Sequence, residues 1–342
     1  MKILFGVQTE GNGHITQSIA VKQYLESKGY KIGCAFAAKK KKGLSQYFKQ
    51  EFEVIEYEGF DFVFGKDGRV IIWKTFLKNI YELPRLASSF IKICDRIRKE
   101  KPDVIFNYYE PLVGLTAIFF PRIKYVSIGH QYSMYSHMYP RIDGYYVQKL
   151  FLAIINWVTS IRAKIVALSY YKFVDSKMIV SPPILRRESY EIADYKMEDF
   201  VLVYLMNEDM LPQLIEESKN HPELQIQCFT KLTKQHIVPS NLHLYNLDSK
   251  LFQEKMKVCK AVVCSGGFET SSEAIYQNKP LLMVPMPNHY EQHANCADAN
   301  SYGLAETNET IDLSKIPTTQ CGNKAWFDEY KKVLDRLLDY LN

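Results

Sequence analysis

Along the chain, short runs of consecutive apolar residues alternate with longer segments whose apolar positions recur every three to four residues. The first pattern marks strands and the second marks helices. Strands are predicted near 3–7, 31–37, 53–57, 103–106, 124–128, 164–168 and 177–180. A second series follows near 200–205, 224–228, 242–245, 260–264, 281–284 and 304–306. Helical patterns lie between them, over 15–28, 84–100, 145–161, 210–219, 249–257, 268–277, 290–301 and 324–341. Such alternation builds parallel sheets, and unbroken apolar strands such as Val201-Leu202-Val203-Tyr204-Leu205 belong to a sheet covered on both faces. The two series are separated by Ser181-Pro182-Pro183-Ile184-Leu185-Arg186-Arg187-Glu188, a stiff polar connector. The expectation is an α/β chain of two doubly wound, Rossmann-like domains facing a cleft. One covers 1–181 and the other 199–323, with a linker at 182–198 and a last helix, 324–342, packing back on the first domain.

Composition supports this picture and narrows it. A chain of 342 residues is comfortable for two cores, and 47% apolar with 24% charged residues is usual for a soluble globular protein. No window holds the ~20 apolar residues of a membrane-crossing helix. The strongest apolar stretch, Leu150 to Ile161, is interrupted by Asn156 and reads as a buried helix. Polar residues follow Met1–Val7 at once, so this start reads as a strand and not as a signal peptide. The seven cysteines, 34, 94, 228, 259, 264, 296 and 321, are scattered without a Cys-x-x-Cys pair. That pattern points to a reducing, cytoplasmic setting, and neither a disulfide framework nor a metal site is implied.

Charge is unevenly divided. Residues 1–180 hold 27 Lys and Arg against 15 Asp and Glu, a net of +12, while the rest of the chain holds 16 against 23, a net of −7. The basic half suits an anionic partner or surface, or is a solvated face. Two stretches within it mix cations with bulky apolar residues. They are Lys39–Lys42 and the segment Phe60 to Lys78, with Trp73, Lys74, Phe76 and Leu77. They read either as contact with an anionic membrane or lipid phosphate, or as a core helix with snorkelling lysines.

Ligands of doubly wound sheets bind beyond the carboxyl ends of the strands, so the turns there are where chemistry is expected. After strand one comes Gly11-Asn12-Gly13-His14-Ile15. His14 falls at a helix start, where the dipole disfavours a cation and keeps the imidazole neutral, the state a general base needs. It is otherwise a packing or capping residue of the turn. The spacing fits neither the dinucleotide fingerprint nor a Walker-type phosphate loop. A second turn is richer: Ser265-Gly266-Gly267 closes a strand, and Thr270, Ser271, Ser272 and Glu273 open the helix. Backbone N–H groups and hydroxyls at a helix N-terminus bind phosphate, and an acceptor-only carboxylate suits a diol. A third polar loop, Pro285-Met286-Pro287-Asn288-His289-Tyr290-Glu291-Gln292-His293-Ala294-Asn295, suits a hydroxyl-rich ligand. His289 and His293 have metal-pair spacing but lack a third ligand.

The order Ser-Gly-Gly, hydroxyl-rich helix start with Glu, Pro-x-Pro, then Glu-Gln-x-x-Asn resembles the nucleotide-sugar half of GT-B glycosyltransferases. It is most similar to family 28, which includes the N-acetylglucosaminyltransferase acting on the peptidoglycan lipid precursor. Gly11 to Ile15 match that family after strand one. The resemblance implies a two-domain GT-B fold and an inverting transfer, with no cofactor, from a nucleoside-diphosphate sugar, by family habit a UDP-sugar, to a hydroxyl acceptor. The transferred group would be a hexosyl or N-acetylhexosaminyl unit and the acceptor a lipid-linked or cell-envelope glycan. The enzyme would be cytoplasmic, at the inner face of the membrane. It places Ser265, Gly266, Gly267, Thr270, Ser271 and Ser272 by the diphosphate, Glu273 on the ribose, and Glu291 with Gln292 on the donor sugar. Gly11, Asn12, Gly13 and His14 would line the acceptor side, with His130 and Gln131 beside them and His130 a rival base. Met206-Asn207-Glu208-Asp209 departs from the family pattern, since carboxylates pointing inward there would repel a diphosphate. Alternatives are a scaffold that binds a nucleotide sugar without transferring it, or a sugar-nucleotide epimerase. The latter would need cleft carboxylates, for which Glu10, Glu110 and Glu269 are the candidates. No recognisable motif supports nucleic-acid binding.

Overall fold

All thirteen strands form within two residues of the expected positions. The computed structural model describes every residue except 11, 40–42, 61, 62, 64–70, 191–194, 320, 321 and 342. Gly11, Lys40 to Lys42, Cys321 and most of 61–70 therefore lie outside the described residues. The first sheet contains β1 (Lys2–Val7), β2 (Lys31–Ala38), β3 (Val54–Tyr57), β4 (Val104–Tyr108), β5 (Lys124–Gly129), β6 (Ala163–Leu168) and β7 (Ile179–Ser181), in the order 3-2-1-4-5-6-7. The second contains β8 (Val201–Tyr204), β9 (Ile226–Phe229), β10 (Leu242–Tyr245), β11 (Ala261–Cys264), β12 (Leu281–Met283) and β13 (Glu306–Thr307), in the order 10-9-8-11-12-13. Every pairing is parallel.

Successive side chains of a strand point to opposite faces, and here both faces are covered. Ile3, Phe5 and Val7 of β1 pack with Ile15 and Ile19 of helix α1 (Gly13–Ser27). Leu4 packs on the other side, with Leu86, Ile93 and Ile97 from α3 (Leu83–Glu100), which follows α2 (Ile72–Tyr81). This is why the strands are apolar throughout and do not alternate. In each sheet the order reverses beside the first strand, between β1 and β4 and between β8 and β11. These are the switch points where a doubly wound sheet opens a crevice.

One expectation fails here. The stretch Leu150 to Ile161, read as a buried helix, belongs to α5 (Tyr146–Thr159), which lies over the short α4 (Pro111–Thr116). The only buried residues of α5 are Asn156 and Thr159, while Leu150, Ile154 and Trp157 face solvent. The apolar run recorded composition, but the polar residues decided which face turns inward.

Candidate active site

Four further helices of the second half matter here: α6 (Ser249–Val258), α7 (Phe268–Tyr276), α8 (Tyr290–Ser301) and α9 (Tyr330–Leu341). Helix α9 returns to the first sheet's helices, where Asp335 accepts from Tyr24 Oη at 2.5 Å and pairs with Lys28 at 3.0 Å. The turn after β1 leads into α1 and the turn after β11 leads into α7, so both helix N-termini open at the switch points. Neither is capped by a side chain: Asn12 precedes α1 and Gly267 precedes α7 without a capping bond. Their first N–H groups have no partner within the helix, which is the condition for binding an anion.

The two starts meet. Gln17 Nε2 of α1 donates to Glu269 Oε2 of α7 at 3.1 Å, and a Cβ on Gly13 would lie 3.7 Å from the same oxygen. Glu269 Oε1 is buried without a partner among the described residues, and burial, reinforced by the charge of Glu273, raises the carboxyl's pKa. His14 stacks on Tyr109 at 5.7 Å between ring centroids, and its Nδ1 is buried with no partner among the described residues. Burial lowers the His14 pKa to about 4, against a smaller opposing effect of a hydrogen bond with Gln17, so the ring is neutral at pH 7, with Nδ1 unused by the described residues. Tyr109 holds a left-handed backbone, φ 63°, unusual for a bulky residue. Its hydroxyl donates to Asn156 Oδ1 at 2.7 Å.

The two glycines of Ser265-Gly266-Gly267 have different reasons. A Cβ on Gly266 would strike the Gln292 carbonyl at 2.6 Å and Cys296 Sγ at 2.7 Å, so this glycine lets α8 approach. At Gly267 a Cβ would meet only the Ser265 carbonyl, at 3.8 Å, which leaves its outer side open. The hydroxyls also diverge, as a helix turns about 100° per residue. Ser271 Oγ turns back onto the Gly267 carbonyl at 2.8 Å and meets Tyr170 Oη at 2.7 Å. Ser272 Oγ is buried without a partner among the described residues, and Thr270 is half-buried. Ser265 Oγ accepts from Met206 N at 3.3 Å and ties the ends of β8 and β11 together.

Glu273 is placed differently from the ribose role implied for it. Its carboxylate is buried and accepts from Arg186 Nε at 2.8 Å, Ser189 Oγ at 3.0 Å and Gln253 Nε2 of α6 at 2.7 Å. Arg186 carries no local signal in the sequence, because its partner is 87 residues away. Glu208, whose charge threatened a diphosphate, is turned onto Thr233 N at 2.6 Å, the Thr233 hydroxyl and His236 Nε2 at 3.1 Å. The Thr233 hydroxyl above all pulls the Glu208 pKa down to about 2.

Both nitrogens of His130 are engaged, Nδ1 at 2.7 Å from the Leu168 carbonyl and Nε2 at 3.0 Å from Asn295 Oδ1. The ring stacks on Phe268 at 3.8 Å, and burial lowers its pKa to about 4. Gln131 Nε2 donates to Glu291 Oε1 at 3.0 Å across the same interface. Gln292 Oε1 accepts from Met286 N at 2.8 Å, while its Nε2 has only the Met206 sulfur at 4.0 Å. Asn295 donates to the Gly266 carbonyl at 2.9 Å, linking the Ser-Gly-Gly turn, α8 and His130.

Buried carboxyls give the fold a pH signature. Burial pushes Glu110 and Asp298 each up to about 7, so the folded chain keeps protons that the unfolded chain releases near pH 4. Stability therefore falls as pH rises through that window. His14 and His130, depressed below 6.5, act oppositely: their contribution is present above 6.5 and lost as pH falls toward 4. Above about pH 6.5 the histidines are silent and the carboxyls dominate. Melting temperature is expected to drop between about pH 6.5 and 8, and less steeply in Glu110→Gln. Equal slopes for the two proteins would remove Glu110 from the account.

The model of the family described as Glycosyl transferase family 1 matches residues 1–319. The chain belongs to this family. An uncharacterized glycosyltransferase of Methanopyrus kandleri is 37% identical over 73 residues, 21% of each chain, so the match spans about a fifth of that relative's length. Solved GT-B structures share the fold over nearly the whole chain. A spinosyn forosaminyltransferase gives a TM-score of 0.62 at 12% identity, covering 99% of this chain and 93% of its own. The spinosyn rhamnosyltransferase complexed with thymidine diphosphate gives 0.59 at 11%, covering 99% and 92%. Acinetobacter baumannii MurG gives 0.54 at 15%, also covering 99% and 92%. The GT-B architecture of two Rossmann-like domains is thus established for this family member.

Proposed function

We propose that this family member is an inverting, metal-independent glycosyltransferase whose donor is a nucleoside-diphosphate sugar, a UDP-sugar by the likeness to family 28. One observation carries the reading: two uncapped helix N-termini at the switch points of the two sheets, joined through Gln17 and Glu269, with the Nδ1 of His14 in the first turn of α1 unpartnered among the described residues. The α7 terminus and the open side of Gly267 receive the diphosphate, and the Gln292 amide and Glu291 hold the donor sugar. His14 Nδ1 takes the acceptor's hydroxyl proton as that oxygen attacks the anomeric carbon. The bond from that carbon to the diphosphate breaks, and the nucleoside diphosphate leaves with the electron pair. His130 is not the base in this scheme, because both its nitrogens are occupied. The acceptor is a hydroxyl on a lipid-linked glycan, met by the basic N-terminal half at an anionic inner membrane face, and the unit moved is a hexosyl or N-acetylhexosaminyl group.

A screen of nucleoside-diphosphate sugars by thermal shift, followed by assay of nucleotide release, tests this reading. A ligand at one hundred times its dissociation constant stabilises the fold by about 2.7 kcal/mol. The expected result is stabilisation by a UDP-sugar and release of UDP when acceptor is present. Binding without release marks a scaffold, and an isomerised free donor marks an epimerase. Either outcome overturns the transfer.

A further inference from the structure

Helices α2 and α5 each bury polar side chains and turn a stripe of large apolar ones to solvent, although Leu152 and Ile155 of α5 pack partly against the core. Among the described side chains of α2, the buried ones are polar, Thr75 and Asn79, whereas Trp73, Leu77, Ile80 and Tyr81 face solvent, Trp73 at 62% and Tyr81 at 83% exposure. Helix α5 repeats the arrangement. Its buried residues are Asn156 and Thr159, and Val147, Leu150, Ile154 and Trp157 form an outward stripe, Leu150 at 62% and Trp157 at 64%. Intervals of three, four and three residues keep that stripe on one face.

The inward polar groups explain why the helices sit this way round. Thr75 Oγ1 accepts from Val63 N at 3.0 Å. Asn156 takes the Tyr109 hydroxyl at 2.7 Å and donates to the Gln131 carbonyl at 2.9 Å, and Thr159 Oγ1 accepts from Tyr132 Oη at 2.8 Å. Rotating either helix to bury its apolar stripe would break these bonds and strand buried polar groups. The two helices touch, and both turn large apolar side chains to solvent, more than scattered single side chains account for.

We propose that this face is a docking surface for an anionic lipid bilayer. Charge names the occupant. Neither helix carries an acidic residue, and each carries lysine: Lys74 and Lys78 on α2, Lys149 on α5. Lys74 Nζ lies 5.5 Å from the Trp73 ring centre, pairing cation with aromatic as headgroup-level anchors do, while Lys149 Nζ, 5.8 Å from the Tyr146 ring centre and 5.4 Å from that of Tyr290, donates to the Ile142 carbonyl. They sit on the basic half of the chain, which anionic headgroups attract. A second copy fits poorly, since a twofold contact through acid-free helices sets lysines against lysines. Among the described residues no helix is long and apolar enough to cross a membrane, so the face lies on the bilayer.

The surface deepens the proposed acceptor and rests on that reading for its purpose only. The inner side of α5 is a wall of the site, because Asn156 holds Tyr109, on which His14 stacks. At the other end of the helix, Gln148 donates to the Asn288 carbonyl at 2.9 Å and accepts from Tyr290 N at 2.9 Å. A bilayer on the outer side brings a lipid-borne hydroxyl to the rim of the cleft.

Tryptophan emission of the full chain with phosphatidylcholine vesicles, with and without phosphatidylglycerol, tests docking without turnover. Of the three tryptophans, Trp73 and Trp157 lie on this face and Trp326 is buried. Vesicles containing phosphatidylglycerol should shift the emission to the blue, brominated acyl chains should quench it, and salt should weaken the binding. Leu150→Glu with Trp157→Glu should weaken partitioning about tenfold or more, and Lys74→Glu with Lys149→Glu should remove the preference for the anionic lipid. These residues are exposed or half-buried, and an unchanged melting temperature confirms that the variants fold. Wild-type protein that ignores the anionic vesicles, or a Leu150→Glu/Trp157→Glu variant that binds them equally, overturns the proposal. So does a wild-type dimer that the same substitutions dissociate, which would make a second copy the occupant. Docking that holds while no nucleotide is released refutes the glycosyl-transfer reading alone. Transfer to a soluble acceptor without docking refutes the surface alone.

Discussion

His14→Ala is expected to lower turnover at least about tenfold, and as much as 10²–10⁴-fold, with donor affinity nearly intact. The range is that of a positioned general base, and the split between turnover and binding follows from the geometry. Among the described residues nothing bonds His14 Nδ1, so its removal leaves the diphosphate side of the cleft untouched. The ring is held by stacking on Tyr109, which is itself pinned to Asn156. Burial lowers the His14 pKa to about 4, so the wild-type rate should stay level from neutrality down and fall only near that value. Unchanged turnover in His14→Ala would sink the mechanism. A steep loss of rate between pH 7 and 6 would assign the base to another group.

Arg186→Ala is expected to destabilise the fold by about 3–5 kcal/mol, the cost of leaving a buried carboxylate unpaired. Glu273 is buried and Arg186 mostly so, and the pair stands among Ser189 and Gln253, so water cannot replace the lost guanidinium. Denaturant unfolding of Arg186→Ala beside Arg186→Met/Glu273→Leu separates the causes. The double variant should recover most of the loss, because it removes both charges together. A single variant within about 0.5 kcal/mol of wild type would show that the pair does not hold the connector to α7. The Glu273→Gln variant then asks whether this carboxylate also reads the ribose. A weakened donor with little loss of stability would give Glu273 both roles.

Much of the fold was legible because its signal is local. Ile3 to Val7 and Val201 to Leu205 are apolar without a break, which only a doubly covered parallel strand requires. The glycines, hydroxyls and carboxylates at the ends of β1 and β11 marked the loops that the switch points open into. Which of those groups remain free was not legible. Thr270, Ser271 and Ser272 look alike in sequence, yet Ser271 bonds its own helix while Ser272 Oγ has no partner among the described residues. Glu273 had the pattern of a ribose reader, but Arg186 and Gln253 reach it from distant segments.

The amino-acid sequence by itself determined two parallel sheets, their strands and the turns that form the cleft, since periodicity and turn chemistry act over a few residues. Tertiary structure alone decided which polar atoms are spent on protein partners and which face outward. His130 and His14 both follow strand ends, and only packing engages both nitrogens of one and leaves Nδ1 of the other free. The same applies to α5. Its apolar residues announced a core helix, but Asn156 and Thr159 found buried partners on other elements and turned the stripe to solvent. Leaving a buried donor or acceptor unpaired costs about 1–3 kcal/mol, enough to set which face turns inward, and no local pattern encodes a partner elsewhere in the chain.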